Sequence, residues 1–242
     1  MWSTWLIVVV IVLISVALLI AMRAPRVVTG GAALEVEKAY FTFDEAEVRK
    51  KLAAAGATHA GLNLFRLNQY VPPEGVKSVR VRDEGHRVTM TVKKKTDTSF
   101  DMESEVTINS FDGGVDVLNA LGLRKKYYLE KLRDIYKVGD AEVVFDTYPG
   151  LPPYIEVEGP DEARVDSVAA SLGLSPNDPQ DKGAGEMYAE LYGITKDRPL
   201  SDLTFSGVAG SLGPLVTKDP EQFAARVEEH TKVADGLRSR AH

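Results

Sequence analysis

The 242-residue chain has no cysteine, which excludes disulfides and thiolate chemistry and is compatible with a reducing cytosol. Its only tryptophans are Trp2 and Trp5, so no indole is available further along. The four histidines, His59, His86, His230 and His242, are scattered and show no zinc-ligand spacing. Positive charge is also short: 29 Lys and Arg against 35 Asp and Glu leave a net −6. That balance argues against a general nucleic-acid binder, whose affinity rests on a basic excess. Gly207, Gly210 and Gly213 lack the strand–turn–helix context of a phosphate-binding fingerprint and read as a flexible loop. What the chain does have, 44% hydrophobic and 26% charged residues, is the composition of a globular protein with ample material for a core.

One long uncharged run is present, residues 2–22, enough to cross a bilayer as a single helix. The first basic residues, Arg23 and Arg26, follow it, so the positive-inside tendency predicts a membrane-anchored protein with its bulk in the cytoplasm. The expected organisation is an anchor at 1–23, a tether at 24–33, a catalytic domain at 34–194 and a C-terminal extension at 195–242. That extension carries a terminal helix opening at Asp219-Pro220. Period-two runs predict strands over 34–43, 62–70, 78–82, 88–95, 102–108, 127–138, 142–147 and 154–158. Helices are predicted from the Asp44-x-x-Glu47 cap to Ala55, over 111–121 and from Asp161 to Gly173. Short connections and few helices point to an α+β, mainly β fold: an eight-stranded antiparallel closed barrel with flanking helices.

These strands carry charge where a buried face should be apolar, and they carry it sorted by sign. Residues two apart on a strand share a face. The pairs Glu35/Glu37, Glu103/Glu105 and Glu156/Glu158 are acidic, with Asp146 on the run between, while Arg80/Arg82, Lys93/Lys95 and Lys131/Arg133 are basic. A merely solvated surface is better served by mixed signs. A closed sheet with a polar interior would gather all of them around one tunnel, where basic rows bind phosphate oxygens and acidic rows hold a hard divalent cation.

The order of LEVEKAYF, SVRVR, TVK, MESEV, LGL, EKLRDIYKVGD, VVFD and GLPPYIEVE resembles the CYTH superfamily, the triphosphate tunnel metalloenzymes, over residues 34–194. The EKLRDIYKVGD segment and the closing MYAELYGI look most like class IV adenylyl cyclases, with thiamine and inorganic triphosphatases as siblings. The resemblance implies a tunnel in which Glu35, Glu37, Asp146, Glu156 and Glu158 hold Mg²⁺ or Mn²⁺. It implies that Arg80, Arg82, Lys93, Lys95, Lys131 and Arg133 bind the triphosphate, with Lys93, Lys131 and Arg133 catalytic and Glu103 and Glu105 supporting. The expected reaction is conversion of ATP to cyclic AMP and pyrophosphate. The alternatives are triphosphate hydrolysis and a non-catalytic nucleotide-binding module, and a homodimer is left open. Lack of a downstream indole lowers the thiamine reading. Two departures stand out. The family's Glu-x-Glu-x-Lys is here Glu35-Val36-Glu37-Lys38-Ala39, so alternation turns Lys38 outward, and Pro152 follows Gly-Leu where glycine is usual.

Overall fold

The computed structural model describes residues 32–175, 182–195 and 201–240, within the second of the two units into which the chain divides after Gly31. Eight strands form: β1 (Ala33–Tyr40), β2 (Thr58–Tyr70), β3 (Ser78–Asp83), β4 (Val88–Lys95), β5 (Asp101–Ile108), β6 (Lys125–Val138), β7 (Ala141–Thr147) and β8 (Tyr154–Gly159). They pair antiparallel in the order β2-β3-β4-β5-β1-β8-β7-β6, and β6 returns to β2, so the sheet closes as the period-two pattern predicts. The closing ladder is long, from Thr58 opposite Lys137 to Tyr70 opposite Lys125. Pairing with β6 extends β2 four residues upstream of its apolar alternation. A two-residue strand, β9 (Asp202–Leu203), adds parallel to the start of β6.

The outer face of the barrel holds the core. Helices α1 (Glu45–Ala54) and α3 (Glu162–Leu172), capped by Asp44 and Asp161 as predicted, lay Val48, Leu52, Val165, Val168 and Leu172 over Val36, Val143, Phe145, Ile155 and Val157. Helix α2 (Phe111–Ala120) covers Val79 and Val81 with Phe111 and Leu118. Gly114 weakens α2 by propensity, yet a Cβ there would stand 2.4 Å from Ile108, so the glycine is what lets the helix reach the sheet.

A C-terminal layer comprises α4 (Ala184–Tyr192), α5 (Val208–Leu212), a 3₁₀ turn at Gly213–Leu215 and α6 (Pro220–Arg238). The Tyr188 hydroxyl donates to the Pro149 carbonyl (2.5 Å) and that of Tyr192 to the Gly150 carbonyl (2.6 Å), clamping the β7–β8 connection. The loop expected around Gly207, Gly210 and Gly213 is instead helical, because Val208 and Leu212 are buried in this layer.

The membrane expectation is overturned. Among the described residues no helix is long and apolar enough to cross a membrane, so a fold with a transmembrane helix and a membrane-anchored location are not carried forward. The longest described helix, α6, has one apolar stripe, with Phe223, Val227 and Ala234 buried, and charge around the rest. The run at 2–22 lies outside the described residues. Neither a membrane segment nor a homodimer is supported.

Candidate active site

Alternation and register put the sorted pairs on one face of the barrel wall. The ring of neighbours then separates them by sign: the acidic side chains come from β5-β1-β8-β7 and the basic ones from β6, β3 and β4, with the uncharged tunnel face of β2 between β6 and β3. The tunnel wall is therefore two contiguous arcs. They meet at two seams, β4/β5, where Lys93 stands opposite Glu103, and β6/β7, where Arg133 stands opposite Asp146. Contacts that skip a strand show that these groups share the interior, as Lys93 of β4 meets Glu35 of β1 and Arg133 of β6 reaches Glu156 of β8 (2.6 Å).

At the β6/β7 seam the charges are matched. Asp146 is fully buried and accepts from Arg133 Nε (2.8 Å), Lys131 Nζ and the Tyr154 hydroxyl (3.3 Å). Burial alone would raise its pKa, but Arg133 and Lys131 outweigh it and hold the carboxyl well below the usual range. At the other seam, burial opposes the charge of Lys93, yet Glu37 and Glu35 outweigh it and raise its pKa. Its ammonium lies 3.5 Å from Glu37 and 3.3 Å from Glu103.

Within each arc like charges also crowd one another. Glu37 pairs in register with Glu158, and Glu158 with Glu142, a row of three carboxylates on adjacent strands. Like charges directly opposite repel. Desolvation and then Glu37 push Glu35 up to about 8, and enclosure by the wall, then Glu37 and Glu142, push Glu158 up to about 7 although its side chain is exposed. Glu156 is raised by burial and by Asp146. In the basic arc, burial and then Arg80 lower Arg82 to about 10, and burial and then Arg133 lower Lys131 to about 8 despite its contact with Asp146. The Nε atoms of Arg80 and Arg82 are buried with no hydrogen-bond partner. Lys95 lies on the same face of β4 as Lys93 but is exposed.

Lys38 faces outward. The β1–β8 register runs without a bulge from Val36 to Tyr40, and the Lys38 ammonium pairs with Glu162 (2.8 Å) and Asp166 (2.7 Å) of α3. Ala39 takes the inward position opposite Glu156. Beside it opens a cavity of about 410 Å³ lined by Glu35, Glu37, Phe41, Tyr154, Glu156 and Lys182.

Several interior groups escape a sequence search for paired charges. Glu84, on the β3–β4 turn, is nearly fully buried and binds Arg82 (2.7 Å) and Arg87 (2.6 Å), closing off one side of the basic arc. Glu142 shares its strand with Asp146 but stands four residues from it, and Phe65 and Tyr154 are uncharged. Only register could have found them. Among the described residues no three carboxylates converge on one point as the side chains stand, since Glu35, Glu103, Asp146 and Glu156 lean on cations of the opposite arc.

No curated protein matches the chain in sequence. Among solved structures it is similar to the PH1012 protein from Pyrococcus horikoshii OT3, at 20% identity and a TM-score of 0.56, over 63% of this chain and 98% of that one. It is also similar to a candidate adenylate cyclase from Vibrio parahaemolyticus, at 19% identity and a TM-score of 0.56, over 66% of this chain and 99% of that one. At such identities the likeness is one of fold. The model of the CYTH domain matches residues 35–181, from the first inward carboxylate of β1 to just before α4, and with the two-arc barrel in place the chain belongs to the CYTH family.

Proposed function

We propose that the tunnel binds ATP with a divalent cation and converts it to cyclic AMP and pyrophosphate. The family binds triphosphates and uses divalent metal ions, and the observation that carries the reading to this chain is the crowding of like charge within each arc. The basic arc offers the unpartnered Nε donors of Arg80 and Arg82 to phosphate oxygens. The acidic arc has carboxyls pushed upward by burial and by neighbouring carboxylates, crowding that a cation would relieve. Mg²⁺ or Mn²⁺ fits that arc, because such an ion keeps several waters and needs only one or two carboxylates plus phosphate oxygens, not a closed cage.

Glu35, Glu37, Glu156 and Glu158, with Asp146 at the seam, would hold the metal, and once bound it would supply charge neutralisation at the phosphate oxygens. Arg80 and Arg82 grip the chain of phosphates, and Lys93, Lys131 and Arg133 stabilise charge developing on the leaving pyrophosphate as the ribose 3′-oxygen attacks the α-phosphorus. Glu103 orients Lys93 and Glu105 orients Arg82. The name of the Vibrio relative favours cyclisation. The empty lysine position at Ala39 favours the alternative of a non-catalytic binding module.

Full-length protein incubated with ATP and Mn²⁺, with products separated by chromatography, tests this. Equimolar cyclic AMP and pyrophosphate are expected. Release of phosphate or pyrophosphate without cyclic AMP would assign hydrolysis, and metal-dependent binding without turnover would leave a binding module.

A further inference from the structure

We propose that Phe65 is a positioning residue of the phosphate grip, holding two arginines side by side without neutralising either; this rests on the reading of the tunnel as a triphosphate site. Phe65 lies on β2, the central strand of the basic arc. Its ring is 2% exposed, and its strand neighbours are the charge-bearing β3 and β6. From β3 the Arg82 guanidinium carbon stands 5.5 Å from the ring centroid, and from β6 that of Arg133 stands 5.3 Å from it. Both distances are within cation–π range, and the attraction grows where water is excluded.

The choice of an aromatic ring has a chemical logic. Arg82 and Arg133 repel each other, and Arg133 contributes to the lowering of Arg82. A carboxylate between them would remove the repulsion by occupying their N–H donors, as Glu84 and Glu105 already do at one nitrogen of Arg82. An aliphatic side chain would leave the repulsion uncompensated. A π face attracts both cations through its quadrupole and takes none of their in-plane donors, so Arg82 Nε stays without a partner. Arg133 is already engaged at Nε by Asp146 and at Nη2 by Glu156, so what the ring leaves open is Arg82 Nε beside a second guanidinium, an arrangement suited to a ligand carrying several anionic oxygens on adjacent centres, which describes an oligophosphate and not a single carboxylate.

Inorganic tripolyphosphate binding to the full-length protein, followed by calorimetry without metal, tests the role directly. Pentafluorophenylalanine at position 65 keeps the shape of the ring and inverts its quadrupole. It is expected to weaken tripolyphosphate binding about ten-fold or more, and Phe65→Leu to do the same. Phe65→Tyr, which keeps an electron-rich face, is expected to stay within about three-fold of wild type. Phe65→Met fills the space without a ring and gives the same contrast should Phe65→Leu not fold. Val143→Ala, on the outer face of β7, lowers the melting temperature without changing affinity and separates stability from grip. Wild-type affinity retained by the fluorinated protein would overturn the proposal. Failure of the wild-type protein to bind tripolyphosphate would instead remove the triphosphate reading on which it rests.

Discussion

The two seams and the two arcs of the tunnel are built from the same residue types and behave oppositely. Asp146 at the β6/β7 seam is more buried than Glu35 at the middle of the acidic arc, yet its carboxyl is held low while that of Glu35 rises to about 8. Burial pushes both carboxyls upward, so burial alone does not set the difference between them. What differs is the balance against burial: two cations, Arg133 and Lys131, outweigh it at Asp146, whereas at Glu35 the single cation Lys93 is opposed by Glu37 and Glu103 as well. The seams are matched within the protein, and on the proposed function the arcs are completed by the ligand.

The sharpest way to break this contrast is functional. Glu156→Gln and Glu158→Gln should each abolish metal-dependent turnover, because an amide keeps the shape and loses the charge that holds the cation. Circular dichroism alongside the assay should show an intact fold, and full activity in both variants would remove the acidic arc from the metal site. Next in size is Asp146→Asn, which strips the seam of its carboxylate, leaving Lys131 without its ion-pair partner and Arg133 with Glu156 alone. Breaking such a buried pair costs about 3–5 kcal/mol, readable by urea unfolding. If Asp146→Asn proves no more destabilising than Glu158→Gln without metal, seam and arc are not different environments.

The pH dependence of stability should separate them as well. Glu35, with Glu37 and Glu103 around it and Lys93 opposite, and Glu158, facing Glu37 and Glu142, bind protons more tightly folded than unfolded. Their contribution is thus present below about pH 4.5 and lost as pH rises towards about 8, on the order of 1 kcal/mol per pH unit for Glu35. Added Mn²⁺ should flatten that decline. Asp146 has the reverse sign: its contribution is present above its unfolded pKa and disappears only in stronger acid. The smallest effect belongs to Lys38→Ala on the outer wall. It should leave the Michaelis constant unchanged and cost about 0–1 kcal/mol, as exposed ion pairs do, whereas Ala39→Lys should tighten triphosphate binding. A large affinity loss in Lys38→Ala would place that side chain inside.

The barrel and its tunnel-facing charges were legible because a strand repeats every two residues: Glu35/Glu37 and Lys131/Arg133 declare a shared face by spacing alone. The outward turn of Lys38 follows from the same parity. The division into arcs was not legible, since it depends on which strands become neighbours, and β1 sits between β5 and β8, both distant in sequence. Glu84 has no like-charged residue two positions away, Glu142 has only Asp140 in the preceding turn, and Phe65 resembles any buried phenylalanine until Arg82 and Arg133 are seen beside it. The glycines at 207, 210 and 213 misled because burial of Val208 and Leu212 overrides their local preference.

The placement of β1 also bears on how the chain reaches this state. Its first described strand pairs through Ala33–Glu35 with β5 and through Val36–Tyr40 with β8, so it cannot gain its second neighbour until the ribosome has made residue 159. For most of synthesis it must wait as an unpaired edge, and such edges recruit other chains. Glu35, Glu37 and Lys38 make that edge charged and poorly suited to intermolecular pairing. The side chains proposed to bind metal would then act first as guards against aggregation, and neutralising them would lower the yield of folded protein even where the finished barrel tolerates the change.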